Sequence, residues 1–147
     1  METRTIEVET HIDNTPEAVI SYIADVRNRL NYLTMLKSVS DIQGDPSAAG
    51  TTWKWEWSVL GLEFEGTGRC LEHEPGRLYR MQSEGDIRST WTYSAAPDEG
   101  GTRLTIALEY EVPKSVIPLL PVGAAAEALR KSEAERVLRK LKEILDR

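Results

Sequence analysis

Residues 50–59 read Gly-Thr-Thr-Trp-Lys-Trp-Glu-Trp-Ser-Val, and their alternation decides what kind of fold the chain must make. Neighbouring side chains on a β-strand point to opposite faces. Trp53, Trp55, Trp57 and Val59 therefore share one side, and Lys54, Glu56 and Ser58 the other. Three indoles on one face of one strand are more aromatic bulk than a close-packed core usually takes from a single strand. They suit the wall of an apolar cavity; the alternative is an ordinary sheet core.

The same alternation recurs on both sides of this stretch. Ile6, Val8, Thr10 and Ile12 face one way against Glu7, Glu9 and His11, and Leu104, Ile106, Leu108, Tyr110 and Val112 face away from Arg103, Thr105, Ala107, Glu109 and Glu111. Turn signals at Gly44-Asp45-Pro46, Leu60-Gly61, Glu74-Pro75-Gly76, Glu84-Gly85-Asp86 and Pro97 to Gly101 divide the middle of the chain. They predict antiparallel strands near 36–43, 51–59, 62–73, 78–83, 87–94 and 102–112, with one wet face and one buried face. Between the first strand and this meander, Thr15-Pro16-Glu17 opens a short helix with a cap, a proline at the first helical position and an acid at the positive end of the dipole. Val19, Tyr22, Ile23 and Val26 give it an apolar stripe. Residues 27–35 read as a second short helix or an irregular turn. The last segment, 127–146, is a long helix with Leu129, Val137, Leu138, Leu141, Ile144 and Leu145 as its stripe.

Composition narrows the function classes. With 147 residues the chain is the size of one domain, 1–147, and 40% hydrophobic with 29% charged residues is ordinary for a soluble protein. A net charge of −6 argues against a nucleic-acid partner. The single cysteine, Cys70, excludes an internal disulfide and fits a reducing compartment, and the polar N-terminus has no signal core, so a cytoplasmic protein is expected. The longest apolar run, 116–126, is broken by Pro118, Pro121 and Gly123 and is too short to span a bilayer.

Thr15 to Asn28, Gly50-Thr-Thr-Trp53, Glu74-Pro-Gly-Arg-Leu78 and Gly100-Gly-Thr-Arg-Leu-Thr105, in this element order, resemble the START/SRPBCC superfamily. The polyketide cyclase/dehydrase and ubiquinone-binding-protein-like branch is the most similar. These are turn and capping marks and specify architecture, not activity. The resemblance implies an α+β helix-grip fold: a curved antiparallel sheet of about seven strands gripping a long C-terminal helix, with two short helices after the first strand. It also implies a cavity between sheet and helix for an apolar small molecule. The first and second strands are expected to be neighbours despite the helices between them.

The expected ligand wall is Trp53, Trp55, Trp57, Phe64, Tyr79, Met81, Trp91, Tyr93, Leu108, Tyr110 and Leu129, with Trp55, mid-strand, bordering open volume. Gly66 and Gly68 share the inward phase of Leu62 and Phe64, which points to a sharp coil or to a close approach by the helix or a ligand. Polar groups expected to reach the interior are Tyr79, Tyr93, Tyr110, Ser89, Cys70 and Glu72, with Arg80 or Gln82 added if that strand slips. His11 and His73 read as surface residues, and Cys70 and His73, three apart on a strand, as pointing to opposite faces. No metal-ligand spacing, nucleophile elbow, phosphate loop or nucleotide fingerprint occurs, so no metal, no cofactor and no identifiable catalytic residue is expected.

Three functions are compatible: binding or transport of an apolar or aromatic molecule (lipid, quinone or polyketide-like), a cofactor-independent cyclase or dehydratase, or a protein-interaction module. The proline-broken stretch 113–123, with Leu119 and Leu120, reads either as a plain crossover or as a mobile lip at the cavity mouth. Oligomeric state is not legible.

Overall fold

The computed structural model describes residues 2–59, 61–85, 88–112 and 124–147, with side chains for 4–58, 61–85, 88–111 and 131–147. The stretch 113–123 and the Leu129 side chain therefore lie outside the described residues. β1 (Glu2–Ile12) leads into α1 (Pro16–Ala24), a 3-10 turn (Val26–Asn28) and the one-turn α2 (Arg29–Tyr32). Six strands follow: β2 (Leu36–Gln43), β3 (Thr52–Val59), β4 (Leu62–Glu74), β5 (Leu78–Gly85), β6 (Arg88–Asp98) and β7 (Gly101–Val112). α3 (Ala124–Leu145) comes last.

The strands form one curved antiparallel sheet in the order β1-β7-β6-β5-β4-β3-β2. β1 and β2 are not neighbours, contrary to the expectation from their order. β1 runs beside β7 without a break, from Glu2 opposite Val112 to Ile12 opposite Thr102, and β2 forms the far edge. The physical reason is the helical insert. α1 packs across β5, β6 and β7, and α2 packs against β2 and α3, so the helices carry the chain from one edge of the sheet to the other.

Register puts the apolar residues on one face. Trp57 lies opposite Phe64, Cys70 opposite Met81, Tyr79 opposite Tyr93, Trp91 opposite Leu108, and Ile106 opposite Val8. α1 begins as its sequence dictates: Thr15 Oγ1 accepts from the Ala18 N–H at 3.1 Å, and Pro16 holds the first helical position. It buries Val19, Ile20, Ile23 and Ala24.

α3 starts three residues before its expected boundary and buries Ala134, Val137, Leu138, Leu141 and Leu145. Ile144, read as part of that stripe, is 40% exposed instead. The C-terminal end of α3 is tied to the β1–α1 turn. The Asp13 N–H donates to Asp146 Oδ1 at 2.8 Å, Asn14 Nδ2 to the Leu145 carbonyl at 2.8 Å, and Lys142 Nζ to the His11 carbonyl at 2.8 Å. The Lys142 cation in the last turn of α3 also suits the negative end of the helix dipole.

A bulge at Leu71 changes the phase of β4. Cys70 pairs with Met81 and Glu72 with Arg80, so one residue has no partner, and His73 ends opposite Tyr79. His73 is therefore inward and half-buried, on the same face as Cys70, and two expectations are corrected. Glu72 points outward and ion-pairs with exposed Arg80 at 3.3 Å. β5 shows no slip that would bring Arg80 or Gln82 inward.

Candidate functional site

The inner face of the sheet carries a continuous aromatic ladder. Trp57 stacks on Trp91 at 6.2 Å and 21°, Trp91 on Tyr93 at 6.1 Å and 12°, and Tyr93 meets Tyr79 at 6.0 Å. His73 closes the series edge-on to Tyr79 at 6.1 Å. Its Nδ1 lies 2.7 Å from the Ser47 carbonyl, which can only accept, so this nitrogen carries the proton. Trp91 Nε1 donates to Ser89 Oγ at 3.2 Å, which fixes its ring plane.

Trp53 and Trp55 behave differently. Each lies over the glycine opposite it on β4. A Cβ at Gly66 would sit 2.5 Å from Trp55 Cζ2, and one at Gly68 would sit 2.5 Å from Trp53 Nε1. Gly66 makes room for the Glu84 carbonyl of β5 as well as for the Trp55 indole, and Gly68 for the Trp53 indole, rather than for a helix or a ligand. Trp55, expected to border open volume, is buried with its ring on the sheet. Trp57 is the half-buried indole of the three.

Phe64, Tyr79, Met81, Trp91, Tyr93 and Tyr110 are all buried in the same core, with Leu108 half-buried against it. The structure brings these expected residues together on one face; only Leu129 lies outside what is described.

The residue missed in the sequence is Arg29. α2 places it 2% exposed, with its guanidinium carbon 5.9 Å from the ring centres of both Trp53 and Trp91. No described carboxylate pairs with it. Among the described residues, Arg29 Nη1, Tyr79 OH and Tyr93 OH are buried without a well-formed hydrogen bond. The Tyr93 hydroxyl adjoins the guanidinium without closing a well-formed hydrogen bond.

Burial, the largest influence on Arg29, works against its charge. The oxygens of Tyr93, Tyr32 and Tyr79 outweigh it, so the group stays a cation. Burial pushes the phenols of Tyr32, Tyr79 and Tyr93 up, which leaves them neutral donors. The Cys70 thiol is raised by burial as well and is no ready nucleophile. A signal for Arg29 did exist: it falls three residues after Val26 and four before Leu33, on the buried stripe of the helical insert, where a cation is out of place.

Among the described residues, no group of three or more His, Cys, Asp or Glu side chains is placed to hold a metal ion, and no helix is long and apolar enough to cross a membrane. His11 belongs to a surface network, with Nδ1 3.0 Å from Asp98 Oδ2, which also accepts from Arg103 Nη2 at 2.9 Å.

A curved sheet over a C-terminal helix, aromatic on its concave side, defines a START-like helix-grip protein. The chain belongs to the polyketide cyclase/dehydrase and lipid transport family, whose model matches residues 3–146. It is similar in fold to the protein TTHA0849 from Thermus thermophilus, with 23% identity over 95% of both chains and a TM-score of 0.77. A START superfamily protein from Mycobacterium smegmatis has 14% identity over 96% of both chains and a TM-score of 0.71. The di-domain ARO/CYC StfQ of the steffimycin biosynthetic pathway has 12% identity and a TM-score of 0.74; 97% of this chain matches 50% of that one. No match was found among curated proteins. The fold is of the kind that binds hydrophobic ligands.

Proposed function

We propose that this protein binds or transports an apolar or aromatic small molecule, of lipid, quinone or polyketide-like type, between the sheet and α3, in the cytoplasm. The observation that carries the reading is the ladder Trp57–Trp91–Tyr93–Tyr79, a run of ring faces on the concave side that ends among buried, unpartnered polar atoms. Flat apolar ligands gain from such faces through area and offset stacking, and a few polar groups at one end fix orientation. Phe64, Met81, Leu108 and Leu129 would complete the wall.

Native mass spectrometry of protein purified from its own host tests this. A co-purifying apolar molecule, displaced stoichiometrically by the neutral fluorophore phenylnaphthylamine, is the expected result. Protein that carries no such molecule and takes up no fluorophore contradicts it.

A second reading, a cofactor-independent cyclase or dehydratase, is favoured by one observation: Arg29 Nη1, Tyr79 OH and Tyr93 OH gather in one apolar interior. Such donors would stabilise an enolate oxygen as it develops. Turnover of a poly-β-ketone or aromatic ketone, lost in Tyr93→Phe, would support it; no turnover across such a panel would exclude it.

A further inference from the structure

Arg29 has a property that an apolar pocket does not need. A guanidinium 2% exposed, with no described carboxylate beside it, keeps its charge where water is excluded. Buried charges are ordinarily paired, because an isolated ion in a low-dielectric interior is costly. Two indole faces at 5.9 Å offer partial compensation. They do not satisfy the N–H donors, and Nη1 has no acceptor. Beside it, the hydroxyls of Tyr79 and Tyr93 are buried too, without a well-formed hydrogen bond among the described residues. One cation and two phenols therefore sit together in an aromatic interior where only phenol oxygens, and no described carboxylate, stand near the guanidinium.

We propose that Arg29 is the anion-receiving end of the site, and that the ligand is an aromatic molecule with one carboxylate or enolate group. This rests on the binding reading above and adds the charge of the ligand to it. The rings of the ligand would lie along Trp57 and Trp91, and its anionic oxygens would accept from Arg29 Nη1 and the Tyr79 and Tyr93 hydroxyls. A charge-assisted bond of this kind is roughly twice as strong as a neutral one, and a planar guanidinium suits two oxygens at once. A neutral ligand of the same shape would leave the cation unpaired.

The test compares naphthoate with its neutral amide, naphthamide, by calorimetry at neutral pH, with phenylnaphthylamine as a charge-free reference. Naphthoate should bind the wild-type protein at least about tenfold more tightly than naphthamide, equivalent to 1.4 kcal/mol. In Arg29→Met that preference should vanish, while Arg29→Lys should keep part of it. Equal binding of the two naphthalene probes by the wild type overturns the assignment and leaves the binding reading standing. So does a preference that persists in Arg29→Met, which would place the anion elsewhere. If phenylnaphthylamine does not bind the wild type either, both readings fall together. The wild-type comparison needs no variant, so it decides even if Arg29→Met does not fold.

Discussion

Trp57 of β3 stacks on Trp91 of β6 at 6.2 Å, although β4 and β5 lie between their strands in the sheet. Three strand steps in a flat sheet span about 14 Å, so the contact requires the sheet to curl until its two halves face each other. The stack is therefore a measure of curvature.

Replacing Trp57 with Ala should remove this contact at modest cost to the fold. Because Trp57 is only half-buried, the loss should fall below the roughly 3 kcal/mol at which fully packed aromatics begin. Affinity for phenylnaphthylamine should fall about tenfold, or 1.4 kcal/mol. Urea unfolding and fluorescence titration measure the two effects. A large stability loss with unchanged affinity would make the stack simple packing.

Gly68→Ala should destabilise by about 1–3 kcal/mol, the usual penalty for overpacking, since the new methyl would collide with the Trp53 ring. The cost should shrink in a Trp53→Leu background, giving a coupling of about 0.5 kcal/mol or more in a double-mutant cycle. Additive costs would mean the indole does not fill the glycine's space.

Acid should weaken the protein through carboxylates held below their usual 3.8. The His11 ring lowers Asp98, and the Asp13 N–H lowers Asp146. A depressed carboxylate adds stability that is complete above its unfolded value and is lost as pH falls through the folded one. Urea midpoints should therefore drop below about pH 4, and less steeply in Asp98→Asn. Equal slopes in the two proteins would remove Asp98 from the account.

Cys70, buried and with its thiol raised, should resist a disulfide reagent in the native state and react fully once the chain unfolds. Rapid native labelling would contradict the inward placement of the β4 face on which Cys70 sits.

Much of this was readable in advance because strands announce their faces. The alternation of Trp53, Trp55 and Trp57, and of Leu104 through Tyr110, identifies the inward residues from sequence alone. The bulge at Leu71 could not be read: an extra residue in a ladder leaves no mark on the side chains around it, yet it turned His73 in and kept Glu72 out. Strand adjacency failed for a similar reason. β1 and β2 are consecutive in the chain, but the distance their helical insert covers is a property of packing, not of order. Gly66 and Gly68 were legible as a need for room, while their occupants became clear only once register set Trp55 and Trp53 opposite them. Arg29 was legible only as a cation on the apolar stripe between Val26 and Leu33, a faint signal because α2 is a single turn.

The central claim, that the concave aromatic face receives a ligand with Arg29 at its polar end, is tested most directly by the indole N–H resonances of the four tryptophans. Titration with naphthoate should move the Trp57 and Trp91 signals most, together with the Arg29 side-chain N–H, and should leave Trp55, folded onto Gly66, least affected. Saturating naphthoate that moves none of these three, or that shifts only exposed surface amides, would contradict the account.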